Sequence, residues 1–248
     1  MGTQISVMGV GVDLLTQETL QDRLREYLSN DYLNVVHVIS IDFLETDEKK
    51  DGIVAAFQDA DLVIPGETII LTKHHVDVLE AGDMVVKYLD VVRALEKAGL
   101  QGKKCYFIMR TKSEAKAIYT LIHRQHWGCE CVGIYAADSD LSEEALVNDI
   151  NAKVPDLIYL GLERGTQEEF ILKNKSKLNA KLCLCIGGII PLILREHPYV
   201  PQFFEILHLD KVYTKIIRFP VTHSVRKRIF RRKMANYNSK KIEDDNLM

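Results

Sequence analysis

Residues 156–160 read Asp-Leu-Ile-Tyr-Leu, and the polar turn Gly-Leu-Glu-Arg-Gly-Thr-Gln-Glu follows at 161–168. A short apolar run with glycines directly after it is typical of a buried strand that ends in a turn. Comparable runs at Asn34–Ile41, Lys104–Met109 and Leu182–Ile186 alternate with segments whose apolar residues recur every three or four positions. This alternation predicts an α/β fold, a mostly parallel Rossmann-like sheet with helices on both faces.

Capping residues and apolar stripes place the helices between these strands. Thr16 and Ser142 are predicted to cap two helices, and the helix predicted over Met84–Ala98 stops at Gly99. The other predicted elements are one helix, Ser113–Gln125, and the strands Ile5–Val12, Asp61–Ile64 and Cys131–Tyr135. After about Pro191 the pattern continues as helices without strands. We therefore predict an α/β domain over residues 1–195 and a basic helical C-terminal appendage over residues 196–248.

The composition is that of an ordinary globular protein. The chain has 248 residues, of which 47% are hydrophobic and 27% are charged, so a mostly disordered chain is excluded. No apolar run approaches the roughly 18 residues of a membrane span, and the start lacks a signal-peptide pattern, which predicts a cytoplasmic protein. The odd number of cysteines predicts reduced, structural thiols rather than a zinc site: Cys105, Cys129, Cys131, Cys183 and Cys185.

Positive charge is concentrated near the C-terminus. Nine basic residues and no acidic one lie between Lys211 and Lys233, which leaves 23 basic and 35 acidic residues for the rest of the chain. Such a division indicates an anionic partner for this segment.

Polar residues follow the predicted strands at the sheet edge where α/β proteins bind ligands, beyond the carboxyl ends of the strands. Glycine turns, hydroxyls before helices and an arginine suit a phosphate or nucleotide, whereas Ser, Asp, Glu and Gln suit sugar hydroxyls. These segments are Ser40-Ile41-Asp42, Pro65-Gly66-Glu67-Thr68, Arg110-Thr111-Lys112-Ser113, residues 161–168 and Gly187-Gly188. A dinucleotide fingerprint at Gly9-Val10-Gly11 is disfavoured because Leu14 occupies its third glycine position. The eight histidines lack metal-ligand spacing, so no metal site is predicted.

The run from Asp156 to Leu162, with Gln167, Glu168 and Ile171 after it, resembles the motif P-D-L-L-x-V-G-L-G-x-P-x-Q-E-x-W-I of the WecG/TagA/CpsF glycosyltransferases. Further matches follow in the family's order along nearly the whole chain. They are residues 9–16 with G-V-x-(I/F)-D-x-(L/V)-T, Ser40-Ile41-Asp42 with T-x-N, Ala60–Pro65 with A-D-L-V-x-P, Ile150-Asn151-Ala152 with I-N-A, and Gly187-Gly188 with the start of G-(A/G)-x-F-D.

Four departures from the family pattern fall at strand exits. Gly66 stands where the family's catalytic Asp follows A-D-L-V-x-P, and Glu67 stands where the next residue is normally Gly. Pro191 replaces the Asp of G-x-x-F-D, and Arg110 replaces the glycine after the central strand. The sequence Glu163-Arg164-Gly165 replaces G-x-P. These changes predict altered chemistry or substrate on an unaltered fold.

The resemblance implies a metal-independent, inverting transfer from a UDP-sugar to an undecaprenyl-diphosphate-linked acceptor, with no cofactor. Glu67 is then the candidate base, unless it is only a solvated turn residue, and Asp42 is the second candidate. The predicted substrate-binding residues are Ser40, Gly66, Thr68, Arg110, Thr111, Gly161, Gln167, Glu168, Gly187 and Gly188. For Arg110, pairing with an acidic neighbour is the alternative to binding a phosphate or a carboxylated sugar.

The same resemblance assigns the basic segment to lipid diphosphate and to the anionic inner face of the cell membrane. The predicted residues are Lys215, Arg218, Arg226, Arg228, Arg231 and Arg232. A solvated basic helix is the alternative, and nucleic acid is discounted because no RNA-binding module accompanies it. We also expect a chain ending at Asp210 to remain soluble and to lose membrane attachment.

Two functions follow from the sequence. The first is a peripheral-membrane enzyme that extends a lipid-linked precursor of surface polysaccharide or teichoic acid. The second is a non-catalytic nucleotide-sugar-binding relative that assists a partner transferase, since Gly66 and Pro191 replace two family carboxylates. A homo-oligomer is compatible with either.

Overall fold

The computed structural model describes residues 3–44, 51–71, 83–125, 128–139, 141–196 and 221–245. Strands β1 (Thr3–Val7) and β2 (Val10–Leu14) form an antiparallel hairpin. The main sheet has six parallel strands in the order β4-β3-β8-β7-β5-β6. Its strands are β3 (Asn34–Ile39), β4 (Leu62–Pro65), β5 (Lys104–Met109), β6 (Glu130–Ala136), β7 (Leu157–Gly161) and β8 (Leu182–Cys185).

Helices connect these strands and cover both faces of the sheet, as predicted. They are α1 (Gln17–Ser29), α2 (Ile41–Leu44), α3 (Asp51–Gln58), α4 (Tyr88–Ala98), α5 (Lys112–Gln125), α6 (Glu143–Lys153), α7 (Thr166–Asn174), α8 (Ile190–Glu196) and α9 (Val221–Asp245). The predicted caps are confirmed, because Thr16 accepts a hydrogen bond from Thr19 N and Ser142 accepts one from Ala145 N. Gly99 ends α4 in the left-handed conformation, with φ of 100°.

The prediction of one strand over Ile5–Val12 is wrong. The chain reverses at Met8 and Gly9, which have φ of 51° and 84°, and the two halves pair with each other. A two-residue turn with two positive φ values matches the twist of a tight hairpin, and glycine adopts such a φ at little cost. The apolar alternation continues through this turn, which explains why the pattern resembles a single strand.

The two faces of the sheet have separate apolar cores. On one face, α1, α4, α5 and α8 pack on residues such as Val36 and Phe107. On the other face, α6 and α7 pack on residues such as Val35 and Ile158. Cys183 and Cys185 of β8 are fully buried in this second core, in agreement with a structural role.

A third apolar core lies beside the β3 and β4 end of the sheet, and α9 contributes to it. Phe230 and Met234 are each 1% exposed and belong to the same cluster as Ile39, Phe43 and Val63. A chain ending at Asp210 would therefore lose the cover of this core, contrary to the expectation of an intact soluble body. The boundary between residues 195 and 196 stays a prediction. Lys215 and Arg218 lie outside the described residues.

Within the described ranges, no helix is both long enough and apolar enough to cross a membrane.

Candidate active site

The sheet order places four strand exits side by side. Strands β4, β3, β8 and β7 are consecutive neighbours, so their carboxyl ends form one continuous edge. A backbone hydrogen bond of 2.7 Å from Gly66 N to Ile39 O joins the exits of β4 and β3. Predicted site residues from four separate parts of the sequence, Ser40, Glu67, Gly187 and residues 161–168, are thereby collected at this edge. Neighbouring strand axes lie roughly 4.8 Å apart, so β3 and β7 are separated by roughly 10 Å.

Glu67 is a buried carboxyl group at the β4 exit. Its side chain is 8% exposed, and Oε1 accepts a hydrogen bond of 3.0 Å from Ile41 N. Burial raises the pKa of Glu67 above the ordinary carboxyl value, while the Ile41 N–H, Lys227 and Arg195 oppose this increase. The structure therefore holds this carboxyl group in a fixed position and brings positive charge from α8 and α9 to it. A solvated turn residue would show neither property.

Gly66 has no room for a side chain. A Cβ built there would lie 2.7 Å from Ile39 O and 2.5 Å from Ile189 Cγ2. Because one of these neighbours is backbone, a carboxylate at position 66 would require the β3 and β4 exits to separate. Glu67 is consequently the first residue after β4 that can present a carboxyl group.

Asp42 pairs with the C-terminal helix. Arg226 Nη1 lies 2.8 Å from Asp42 Oδ2, and both side chains are partly exposed. A role of Asp42 as base stays a prediction. The pair also places Arg226 at the β3 exit, which links the predicted basic segment to the candidate site.

Ser40 and the two glycines after β8 pack against one another. The Ser40 hydroxyl is buried and has no hydrogen-bond partner among the residues that the structure describes. A Cβ at Gly188 would lie 2.6 Å from Ser40 Oγ, and a Cβ at Gly187 would collide with Leu162 O. Both glycines are therefore required by the close approach of the neighbouring strand exits. Their contact with a ligand stays a prediction.

Gln167 and Glu168 hold the turn between β7 and α7. Gln167 Oε1 accepts a hydrogen bond of 2.9 Å from Gly187 N, and Glu168 Oε2 accepts one of 2.6 Å from Gly165 N. Both side chains are buried, and Glu168 Oε1 lies 4.0 Å from Nδ1 of His37. Burial raises the pKa of Glu168 and lowers that of His37 to about 4, so the imidazole is neutral at pH 7. These contacts are internal, and direct binding of a sugar or uracil stays a prediction.

The sequence of this chain is similar to those of known proteins. The sequence model of the glycosyl transferase WecG/TagA/CpsF family matches residues 5–225. The chain belongs to this family. Among similar proteins is the N-acetylglucosaminyldiphosphoundecaprenol N-acetyl-beta-D-mannosaminyltransferase of Staphylococcus aureus strain MRSA252, which is 18% identical over 86% of this chain and 85% of that protein. The protein of the same name from strain NCTC 8325 / PS 47 is 17% identical over the same shares.

The family assignment shows that the protein is a glycosyltransferase. It also makes the residues that depart from the family pattern at the strand exits of interest. Arg110 replaces a family glycine at the β5 exit, where its guanidinium forms a two-point ion pair with Glu114 on α5. Thr111 is exposed and caps α5, since its Oγ1 accepts a hydrogen bond from Glu114 N. The pairing alternative for Arg110 is thus present in the structure. Gly161 is buried beside Met109, and Thr68 begins a short 3₁₀ helix after Glu67.

Sequence reasoning did not include Arg164 among the site residues. It lies in the turn after β7, and its Nε and Nη1 atoms are buried without a hydrogen-bond partner in the described ranges. Arg164 stands at a position that the family motif leaves unspecified, so the motif gave no reason to select it. The lack of a hydrogen-bond partner for its two nitrogen atoms becomes visible only in the folded chain. Among the described residues, no three His, Cys, Asp or Glu side chains are grouped as metal ligands. Metal-independent transfer stays a prediction.

Proposed function

We propose that this protein is an inverting glycosyltransferase that moves an N-acetylhexosamine-like sugar from UDP to a sugar carried on polyprenyl diphosphate. The relatives are named for the acceptor N-acetylglucosaminyldiphosphoundecaprenol and for transfer of an N-acetyl-beta-D-mannosaminyl group. Family membership over most of the chain supports the same reaction class here. Such a reaction belongs to the synthesis of cell-surface polysaccharide or teichoic acid.

The position of the Glu67 carboxyl group carries this proposal. Its Oε1 is held by Ile41 N, so Oε2 is the oxygen that takes the proton of the acceptor hydroxyl. The hydroxyl oxygen then forms a bond to the anomeric carbon, and the bond from that carbon to the diphosphate breaks. The electron pair of the broken bond leaves with UDP. Attack from the side opposite to UDP inverts the configuration of the anomeric carbon.

The exposed face of α9 supports attachment to an anionic membrane on its cytoplasmic side. Arg226, Phe230 and Met234 face the protein body, whereas the opposite side of the helix carries both charge and apolar surface. Val225 and Ile229 are 50% and 42% exposed, and Arg228 and Arg232 are exposed beside them. Basic and apolar side chains on one helix face are typical of an interfacial helix.

Replacing Arg228 and Arg232 together by glutamine should weaken vesicle binding about thirtyfold. Each basic residue near an anionic surface contributes about 1 kcal/mol, so two contribute about 2 kcal/mol. Sedimentation with vesicles containing phosphatidylglycerol measures this loss, and binding by the unaltered protein should fall as salt is raised. The control Arg23→Gln/Arg25→Gln removes the same charge from exposed positions of α1. Equal losses of vesicle binding in the two variants, or binding that does not change with salt concentration, would contradict the membrane proposal.

The reaction itself is tested by UDP release. The full chain is supplied with each of several UDP-N-acetylhexosamines and with a prenyl-diphosphate-linked N-acetylglucosamine, and the product is identified by mass spectrometry. Transfer with one of these donors is the expected result. Binding of a UDP-sugar without transfer to any acceptor would instead favour the non-catalytic alternative. That alternative is suggested by Gly66, which stands where the family has a carboxylate.

A further inference from the structure

The turn between β7 and α7 contains a positively charged side chain, that of Arg164, with incomplete hydrogen bonding in the part of the chain that the structure describes. The side chain is half-buried, and its Nε and Nη1 atoms are enclosed and donate no hydrogen bond to any acceptor among the described residues. Buried guanidinium groups normally pair with a carboxylate or phosphate, because leaving their N–H groups unsatisfied costs free energy. Glu168 is the acidic residue that interacts electrostatically with Arg164. Its two carboxylate oxygens already accept hydrogen bonds from Gly165 N and Gln167 Nε2.

We infer that Arg164 binds the diphosphate of the nucleotide donor. The inference rests on the proposed function and adds to it a residue that the family motif does not specify. The Nε–H and Nη1–H donors of Arg164 lie on different edges of the planar guanidinium, so they can donate to separate oxygens of a diphosphate. Positive charge at this point also stabilises UDP as it leaves with a developing negative charge.

The layout of the site selects the donor diphosphate over the acceptor diphosphate. The base Glu67, which serves the acceptor hydroxyl, lies at the β4 exit together with Lys227 and Arg195. Arg164 follows β7, three strands away along the same edge, or roughly 14 Å. Cations for two diphosphates thus lie at opposite ends of the site. The acceptor occupies the end with the base, so the donor occupies the end with Arg164.

The α7 N-terminus does not provide this anion site by itself. Glu168 already accepts the hydrogen bond from Gly165 N and so places a carboxylate on the first turn of the helix. An incoming phosphate therefore requires a cation to offset that negative charge. Arg164, directly before Gly165, is the residue in this turn that supplies one.

Titration calorimetry on the full chain tests the inference with UDP, uridine and geranyl diphosphate as probes. In Arg164→Gln, the dissociation constant for UDP should rise roughly thirtyfold, which corresponds to about 2 kcal/mol, while that for uridine is unchanged. Arg164→Lys keeps the charge but loses the planar set of N–H donors, and its loss of UDP affinity should be smaller. The control Arg93→Gln removes an exposed arginine from α4 and should bind UDP like the unaltered protein.

Thermal unfolding separates binding from a structural role. Because Nε and Nη1 of Arg164 have no hydrogen-bond partner among the described residues, Arg164→Gln should melt no lower than the unaltered protein. Three results would overturn the inference: unchanged UDP affinity in Arg164→Gln, parallel loss of UDP and uridine binding with a lower melting temperature, or weakened binding of geranyl diphosphate alone. An unaltered protein that binds no UDP overturns it as well.

UDP binding by Arg164 and sugar transfer by the protein are separate measurements with separate outcomes. If the protein transfers sugar but Arg164→Gln leaves the affinity for UDP unchanged, the role of Arg164 is overturned and the proposed transferase function is not. UDP binding that depends on Arg164, without transfer to any acceptor, would support the role of Arg164 and count against the transferase.

Discussion

Glu67→Gln is expected to lower kcat for sugar transfer by roughly 10²- to 10⁴-fold, because a positioned general base contributes about that much to the rate. Glutamine keeps the size of the side chain and can still accept the hydrogen bond from Ile41 N, so the geometry at the β4 exit is preserved. UDP binding should be unchanged, since Glu67 serves the acceptor hydroxyl. Product formation under saturating donor and acceptor measures the loss in kcat.

The pH dependence of the unaltered enzyme gives a second measurement of the same group. Burial raises the pKa of Glu67, and a base acts only when it is ionised, so kcat/KM should fall at a pH above the ordinary carboxyl range as the solution is acidified. The raised pKa also means that Glu67 favours folding when it is protonated, and this contribution is lost as pH rises through the folded-state value. Glu67→Gln should therefore be no less stable than the unaltered protein at neutral pH.

Asp42→Asn is the matched control for this variant. It also replaces a carboxyl group at the sheet edge, but one that is paired with Arg226 at 2.8 Å. We expect a smaller loss in kcat than that of Glu67→Gln, together with weaker binding of the lipid acceptor. A larger loss in Asp42→Asn than in Glu67→Gln would assign the base to Asp42.

Phe230→Ala is expected to lower the free energy of unfolding by about 3–5 kcal/mol, the usual cost of truncating a buried phenylalanine. Phe230 is 1% exposed in the third core, beside Met234, so its removal leaves a cavity between α9 and the body of the protein. Because α9 also carries Lys227 and Arg226 to the site, transfer to the lipid acceptor should fall as well. Denaturant titration followed by circular dichroism measures the stability change.

Ile229→Ala provides the comparison on the same helix. Its side chain is 42% exposed on the opposite face, so the expected change in stability is within about 1 kcal/mol. Equal destabilisation by the two substitutions would show that α9 is not anchored through Phe230.

Much of the fold follows from local chemistry. The caps at Thr16 and Ser142 and the stop at Gly99 are interactions between residues a few positions apart, so the sequence contains all that determines them. The main strands are apolar because both faces of a parallel sheet are buried, and their runs are visible for that reason. The hairpin was not predictable in the same way, since alternation of apolar residues continues across Met8 and Gly9.

The candidate site was predictable in location but not in detail. The rule that ligands bind beyond the carboxyl ends of the strands identifies one edge, and the structure brings the predicted site residues together there because β4, β3, β8 and β7 are neighbours. The state of each side chain depends on residues far away in the chain. The bond from Ile41 N to Glu67 and the unsatisfied nitrogens of Arg164 arise only when the strands are assembled.

The ion pair between Asp42 and Arg226 joins residues 184 positions apart. At roughly 5–20 residues per second, a ribosome needs roughly 10–40 s to add the second partner after the first. During that interval the nascent sheet can already assemble, while the third core lacks Phe230 and Met234. The ion pair at the β3 exit and the apolar core beneath α9 therefore reach completion together, late in synthesis.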